Sequence, residues 1–226
     1  MKDQLFDQCY TLLLNRSKAL GISVPSEVAY QLIEYVYLMH RWNRTYNLTA
    51  VRNVEALVTR HIIDSFTILP HLPEGSSVLD IGTGAGLPGL PAALMRPDLK
   101  VTLLDSNGKK ACFLKQVISD LNLPRVHVEQ CRVELFQPKN RYDVIVARAF
   151  SSLANLLEVS QHLSSDQGII VAMKGMYPNA ELDEIQQSYT VHEVILPEED
   201  VTRHIVVLDR CPISSKLNSL TEAEGL

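Results

Sequence analysis

Val78-Leu79-Asp80-Ile81-Gly82-Thr83-Gly84-Ala85-Gly86-Leu87-Pro88-Gly89 is the stretch whose reading decides the fold. An apolar run ends there as a strand. The glycines after it permit a tight turn in which backbone approaches a ligand with no Cβ in the way. Pro88 suits the first position of a following helix, whose free N–H groups and positive dipole end face the same space. A turn of this kind at the carboxyl end of a first strand is a cofactor turn.

Outward from the turn, short β-branched runs alternate with helical stretches. The runs are 76–81 (SSVLDI), 100–105 (KVTLLD), 125–130 (RVHVEQ), 142–147 (YDVIVA) and 168–173 (GIIVAM). Such alternation implies a parallel sheet with helices on both faces. The near-continuous apolar VTLL and VIVA suit strands buried on both sides. Two further runs, 190–196 (TVHEVIL) and 203–208 (RHIVVL), flank Pro197-Glu198-Glu199-Asp200, a link short enough to predict an antiparallel pair at one edge.

Upstream the pattern is helical. Ser26 is the expected N-cap of a helix in which Val28, Leu32, Val36, Met39 and Trp42 form an apolar stripe. A turn around Gly21 precedes it, and another helix is expected from about Val54 to Leu69. The expected fold class is α/β: a Rossmann-like sheet of seven strands, the last pair antiparallel, with a helical N-terminal extension. Residues 1–70 form the helical cap within the same domain, 71–212 the Rossmann-like core and 213–226 a C-terminal tail.

Bulk properties narrow the function classes. Asp3 and Asp7 interrupt the N-terminus where a signal peptide needs an apolar run, and no stretch approaches the roughly 18–20 apolar residues of a membrane span. The expected location is the cytoplasm. Cys9, Cys112, Cys131 and Cys211 lack C-x-x-C spacing, which argues against a zinc site and against a disulfide framework, so no metal is expected. The net charge of −5 neither supports nor excludes a nucleic-acid partner, because a local basic face matters more than the sum. Nothing in the chain demands more than a monomer.

Residues 84–89 satisfy G-x-G-x-x-G, a pattern also found in dinucleotide enzymes. Asp80, two residues before Gly82, extends it to D-x-G-x-G-x-G, which looks like the S-adenosylmethionine turn; a carboxylate there can meet the amino group of a methionine moiety. Asp105, 23 residues after Gly82, can accept hydrogen bonds from ribose hydroxyls, and this supports a nucleoside without choosing between cofactors. The antiparallel closing pair resembles the methyltransferase variant of the architecture. An NAD-dependent oxidoreductase stays open as an alternative, as do a methyltransferase for another RNA or a small molecule and a nonenzymatic nucleotide sensor.

Several blocks in order carry a more specific resemblance: W-N-x-x-x-N-L-T (Trp42 to Thr49), R-H-I-I-D-S (Arg60 to Ser65), VLDIGTGAGLPG, LLDSNGKKACFL, the VIVARAF run ending at Phe150, and Met173-Lys174-Gly175. From about Tyr35 to Lys174 the chain resembles the ribosomal RNA small-subunit methyltransferase G family, also called glucose-inhibited division protein B. The resemblance implies methyl transfer from S-adenosylmethionine to N7 of a guanosine in 16S rRNA, with the rRNA or the small ribosomal subunit as partner. It implies cofactor contacts at Gly82 and Leu87, with Gly84 in the same turn. It also puts Val133 and Glu134 at the adenine, and Arg148 where donor and acceptor meet.

The chemistry agrees with that expectation. Guanine N7 carries a free lone pair and no proton, so an in-line displacement needs no general base; holding the nucleophile at about 3–3.5 Å does most of the work. The fourth strand runs into Ala147-Arg148-Ala149-Phe150, with neither an Asn/Asp-Pro-Pro-aromatic loop nor a Pro-Cys nucleophile. Arg148, a permanent planar donor, suits the cofactor, guanine O6 or a phosphate. Phe150 suits stacking on the target base or a core position. Asn47, Thr49, His61 and Asp64 are candidates for the acceptor side, a structural hydrogen bond being the equal alternative for His61. Lys109 and Lys110, with Arg41, Arg44, Arg52, Arg60 and Lys174, are candidates for a basic rim.

Overall fold

The computed structural model describes residues 4–196 and 201–209. Asp3, the link at 197–200, Cys211 and the tail at 213–226 lie outside the described residues.

Two helices open the chain, α1 (Gln4–Ala19) and α2 (Ser26–Tyr46). Leu32, Val36 and Met39 of the expected stripe are fully buried, each such side chain contributing on the order of 1.5–3 kcal/mol. The stripe also takes in Tyr35, while Val28 and Trp42 are only partly buried. Pro25, not Ser26, is the N-cap, and no side chain caps this end. Pro25 is extended and its carbonyl accepts the first helical bond from Ala29, which makes Ser26 the first helical residue. The helix ends at Asn47, whose left-handed backbone (φ 50) turns the chain away.

The single helix expected over 54–69 is built in pieces. Asn53 caps α3 (Val54–Leu57) by accepting from the Ala56 N–H. A π-helical turn (Val58–Ile63) follows, then α4 (Asp64–Phe66) and a 3-10 turn (Leu69–His71). Local patterning could not foresee the wider turn, in which Val58, His61, Ile62 and Ile63 are buried.

The sheet then unfolds as expected from the apolar runs: β1 (Ser77–Ile81), α5 (Gly89–Met95), β2 (Lys100–Leu104), α6 (Gly108–Asp120) and β3 (Val126–Glu129). A 3-10 turn (Val133–Leu135) leads to β4 (Tyr142–Arg148), α7 (Leu153–Ser160), β5 (Ser164–Lys174), α8 (Asn179–Asp183), β6 (Tyr189–Leu196) and β7 (Val201–Asp209). Pro88 is the N-cap of α5 rather than its first residue, and Arg148 and Lys174 close β4 and β5 instead of following them.

Strand order is β3-β2-β1-β4-β5-β7-β6. The first five strands are parallel, and β7 runs antiparallel to both β5 and β6. Val78–Ile81 and Val144–Ala147, on adjacent strands in register, are buried on both faces. α1 to α4 share one hydrophobic cluster with α5, α6 and one face of the sheet. Within it, burial pushes the Cys9 thiol up to about 11, so it behaves as a small apolar side chain. The order reverses between β1 and β4, and the crevice outside their carboxyl ends is where such sheets bind ligands.

Candidate active site

The glycine turn sits in that crevice. The Gly82 and Thr83 N–H groups donate to the Leu104 carbonyl at 2.9 and 3.1 Å, which fastens the turn to the end of β2. Gly82 has φ +66, and a Cβ there would meet the Phe150 ring at 3.4 Å, so the ring stands over the face of the turn that the glycine leaves open. A Cβ on Gly89 would lie 2.7 Å from Asp80 Oδ2. That closeness lets the Gly89 N–H donate to Asp80 Oδ2 at 2.8 Å, alongside the Thr83 hydroxyl at 2.7 Å.

Asp80 is fully buried, and its other oxygen, Oδ1, has no hydrogen-bond partner. Burial pushes its carboxyl up to about 7, against the two bonds to Oδ2 and the nearby Arg148 charge, which pull it down. From the helical layer, the fully buried Tyr35 donates its hydroxyl to the Ala85 carbonyl at 2.6 Å.

Beside the turn lies a cavity of about 250 Å³ at the ends of β1, β2 and β3. Gly82, Asp105, Val133, Glu134 and Phe150 line it together with Ser106, Cys131 and Arg132. Asp105 accepts from the Gly84 N–H at 2.9 Å and the Asn107 N–H at 2.8 Å, with the Lys110 ammonium 3.5 Å away. Asn107 in turn caps α6. Asp105 therefore stitches the glycine turn to the second strand end as well as facing the cavity.

On the other side of the turn, three elements converge on Asp64, which is 4% exposed. Arg203 of β7 reaches its Oδ1 through Nε at 2.6 Å, and Arg148 of β4 reaches Oδ2 through one terminal nitrogen at 3.3 Å. That same nitrogen lies 3.5 Å from both the Arg60 carbonyl and His61 Nδ1. His61 Nδ1 lies 2.9 Å from the Arg60 carbonyl and Nε2 lies 2.7 Å from the Thr49 hydroxyl, an arrangement that suits a neutral ring donating through Nδ1. Burial, then the Arg148 charge, lower its pKa to about 4.

With this geometry in view, the comparisons decide the family. A match to the family described as rRNA small subunit methyltransferase G spans residues 29–206. The chain belongs to that family. A relative from Chromobacterium violaceum, named ribosomal RNA small subunit methyltransferase G, is 47% identical over 191 residues, which span 83% of this chain and 90% of that protein. Among solved structures, a methyltransferase from Pyrococcus furiosus aligns with a TM-score of 0.56 at 15% identity, covering 77% of this chain and 95% of that one. A SAM dependent methyltransferase from Aquifex aeolicus aligns with 0.54 at 19% identity, covering 69% and 93%. The protein is a methyltransferase with the Rossmann-like class I fold, and membership in the methyltransferase G family sets aside the oxidoreductase reading.

Within this family member, the structure brings some of the singled-out residues together and keeps others apart. Gly82, Asp105, Val133, Glu134 and Phe150 share the cavity; Asp80, Gly84 and Leu87 belong to the turn, with Leu87 buried beneath it. Arg148, His61, Asp64 and Thr49 form one cluster. Asn47 stands apart, its side-chain Oδ1 accepting from Arg52 at 2.8 Å. Its motif neighbour Asn43 is the residue that ties the loop, bonding Val51, Thr49 and Arg52. Lys174 is held by Glu181 at 2.7 Å and by the Ser151 carbonyl. Lys109 projects over the Tyr46 ring at 6.0 Å. Sequence reading missed Tyr35 and Arg203: the first hides inside an apolar stripe, and the second stands in a strand without any motif.

Proposed function

We propose that the protein transfers a methyl group from S-adenosylmethionine to N7 of a specific guanosine in 16S rRNA. Its substrate is that RNA or the small ribosomal subunit, met in the cytoplasm by a monomeric enzyme. The observation that carries this reading is the absence of a free base in the Asp64 cluster among the described residues. Asp64 is engaged by two arginines, and His61 is a weak base with both ring nitrogens against partners. A nucleophile that keeps no proton suits such a site.

The cofactor fits the residues present. The unpartnered Asp80 Oδ1 under the turn is a ready acceptor for an ammonium, and the cavity beside Gly82 has the apolar wall and edge carboxylates a nucleoside requires. S-adenosylmethionine, when bound, supplies an electrophilic sulfonium methyl. Asp80 holds the amino acid end, helped by Gly82, Gly84 and Leu87 of the turn. Asp105 takes the ribose hydroxyls, while Val133 and Glu134 take the adenine. Arg148 orients the reacting groups and Phe150, standing over Gly82, closes the cavity toward the acceptor. His61 and Asp64 form the wall of the acceptor side, and Asn47 and Lys174 meet the substrate at its margin. Lys109 and Lys110 lead the backbone of the RNA toward the crevice.

The test is to titrate the protein with S-adenosylmethionine and with NADH, then supply labelled S-adenosylmethionine and undermethylated small subunits. Binding of S-adenosylmethionine alone, followed by label in small-subunit RNA, is the expected result. Binding of NADH alone, or no transfer by cofactor-bound protein, overturns the reading.

A further inference from the structure

Arg203 belongs to none of the motifs that carry the site, yet it comes closer to the Asp64 carboxylate than Arg148 does. It stands on β7 opposite Val194 of β6, and its partner lies 139 residues earlier in the chain. Two permanent cations thus face one carboxylate, with His61 neutral beside them. The division between the cations is unequal. Arg203 closes on Oδ1 at 2.6 Å, whereas Arg148 holds Oδ2 at 3.3 Å through one nitrogen. Arg148 Nε and its second terminal nitrogen make no hydrogen bond among the described residues, and the side chain is 20% exposed.

A guanidinium left alone with a carboxylate closes into a two-bond fork, which would consume two Arg148 donors and neutralise its charge. We infer that Arg203 is a positioning residue: by engaging Asp64 Oδ1 it prevents that fork and keeps the Arg148 donors available for the acceptor guanosine. This inference rests on the proposed transfer to guanine N7. Since N7 must stay unblocked to react, the donors fit O6 or the adjoining phosphate, not the N7 edge that an arginine fork on guanine normally covers.

The experiment compares Arg203→Ala, Arg203→Lys and the double variant Asp64→Asn/Arg203→Ala with wild type. The readouts are kcat and KM for small subunits, calorimetric affinity for S-adenosylmethionine, and Tm. Arg203→Ala is expected to lose about tenfold or more in kcat/KM for small subunits while cofactor affinity stays within about twofold. Arg203→Lys restores most of the loss, because an ammonium can still engage Oδ1. The double variant recovers activity relative to Arg203→Ala at little change in Tm, because no carboxylate remains to trap Arg148; for a purely structural pair, loss and recovery of activity would instead track Tm, since removing one partner leaves a buried charge unpaired.

Full activity in Arg203→Ala, no recovery in the double variant, or an effect confined to cofactor affinity overturns the inference. Should Arg203→Ala not fold, the double variant carries the test against wild type: activity within about tenfold supports the inference, and its loss overturns it. Wild-type enzyme that methylates no small-subunit RNA removes the substrate reading itself, and the inference falls with it.

Discussion

Tyr35 and Ala85 are joined by a buried hydrogen bond of 2.6 Å, in which a phenol from the second helix donates to the middle of the glycine turn. The helical layer thus does more than cover the sheet; it fixes one carbonyl of the glycine turn. Tyr35→Phe leaves that carbonyl buried without its donor, a loss of about 1–3 kcal/mol. For a chain of this size we expect Tm to fall by roughly 2–4 °C per kcal/mol, with weaker binding of S-adenosylmethionine. Melting curves and calorimetry that match wild type would contradict a role for this bond.

Asp80 gives a pH signature. Its carboxyl is raised by burial from the ordinary value near 3.8 to about 7, so the folded chain keeps a proton that the unfolded chain releases. The stability this group contributes is complete below pH 4 and lost as the pH climbs through 7. Asp80→Asn removes that dependence. Between pH 4 and 8 the stability difference should move in favour of the variant by up to about 4 kcal/mol in the cofactor-free protein. The same variant should bind S-adenosylmethionine more weakly at pH 8, having no charge for its amino group. Parallel pH curves for the two proteins would show that Asp80 is not the titrating group.

Arg148→Ala removes the donor proposed to orient the reacting groups without opening the core, since the side chain is partly exposed and closes the end of β4. Transfer activity should fall by about 100-fold or more, in the range that follows misplacing a reacting group. Circular dichroism should be unchanged. Near-normal turnover would sink the assignment.

The charges proposed to meet RNA can be sorted by what the structure leaves exposed. Arg41, Arg44, Arg60 and Lys109 are exposed, whereas Arg52 is tied to Asn43 and Asn47, and Lys174 to Glu181. Reversing Arg41, Arg44 and Lys109 together should weaken small-subunit binding and reduce its salt slope by roughly 2–3 units. Reversing Arg52 instead should act on stability. An unchanged salt slope in the triple variant would count against the rim.

The fold was legible because its signals are local. The apolar runs at 78–81 and 144–147 read as strands buried on both faces, and the glycine turn between β1 and α5 marks the crevice. Boundaries were less exact where backbone geometry intervenes: Pro25 takes the cap expected of Ser26, and a π-helical turn divides the helix expected over 54–69. Site residues carried by contiguous motifs, such as Gly82, Asp105, Val133 and Glu134, could be chosen from sequence and do line one cavity.

Residues whose contacts cross the fold could not. The pairing of Arg203 with Asp64 spans 139 positions and has no spacing rule, and Tyr35 is indistinguishable from its apolar neighbours until its hydroxyl meets Ala85. Asn47 shows the opposite case. It stands in a strong motif, yet the side chain that ties the loop is Asn43.

Nucleoside analysis of small subunits methylated by the purified enzyme tests the central claim most directly. Subunits from a strain lacking the enzyme would be incubated with methyl-labelled S-adenosylmethionine, with large subunits, tRNA and deproteinised 16S rRNA alongside. The account predicts label in 7-methylguanosine from small-subunit RNA and none in large subunits or tRNA. Label in any other nucleoside, or no label despite measured cofactor binding, would contradict it.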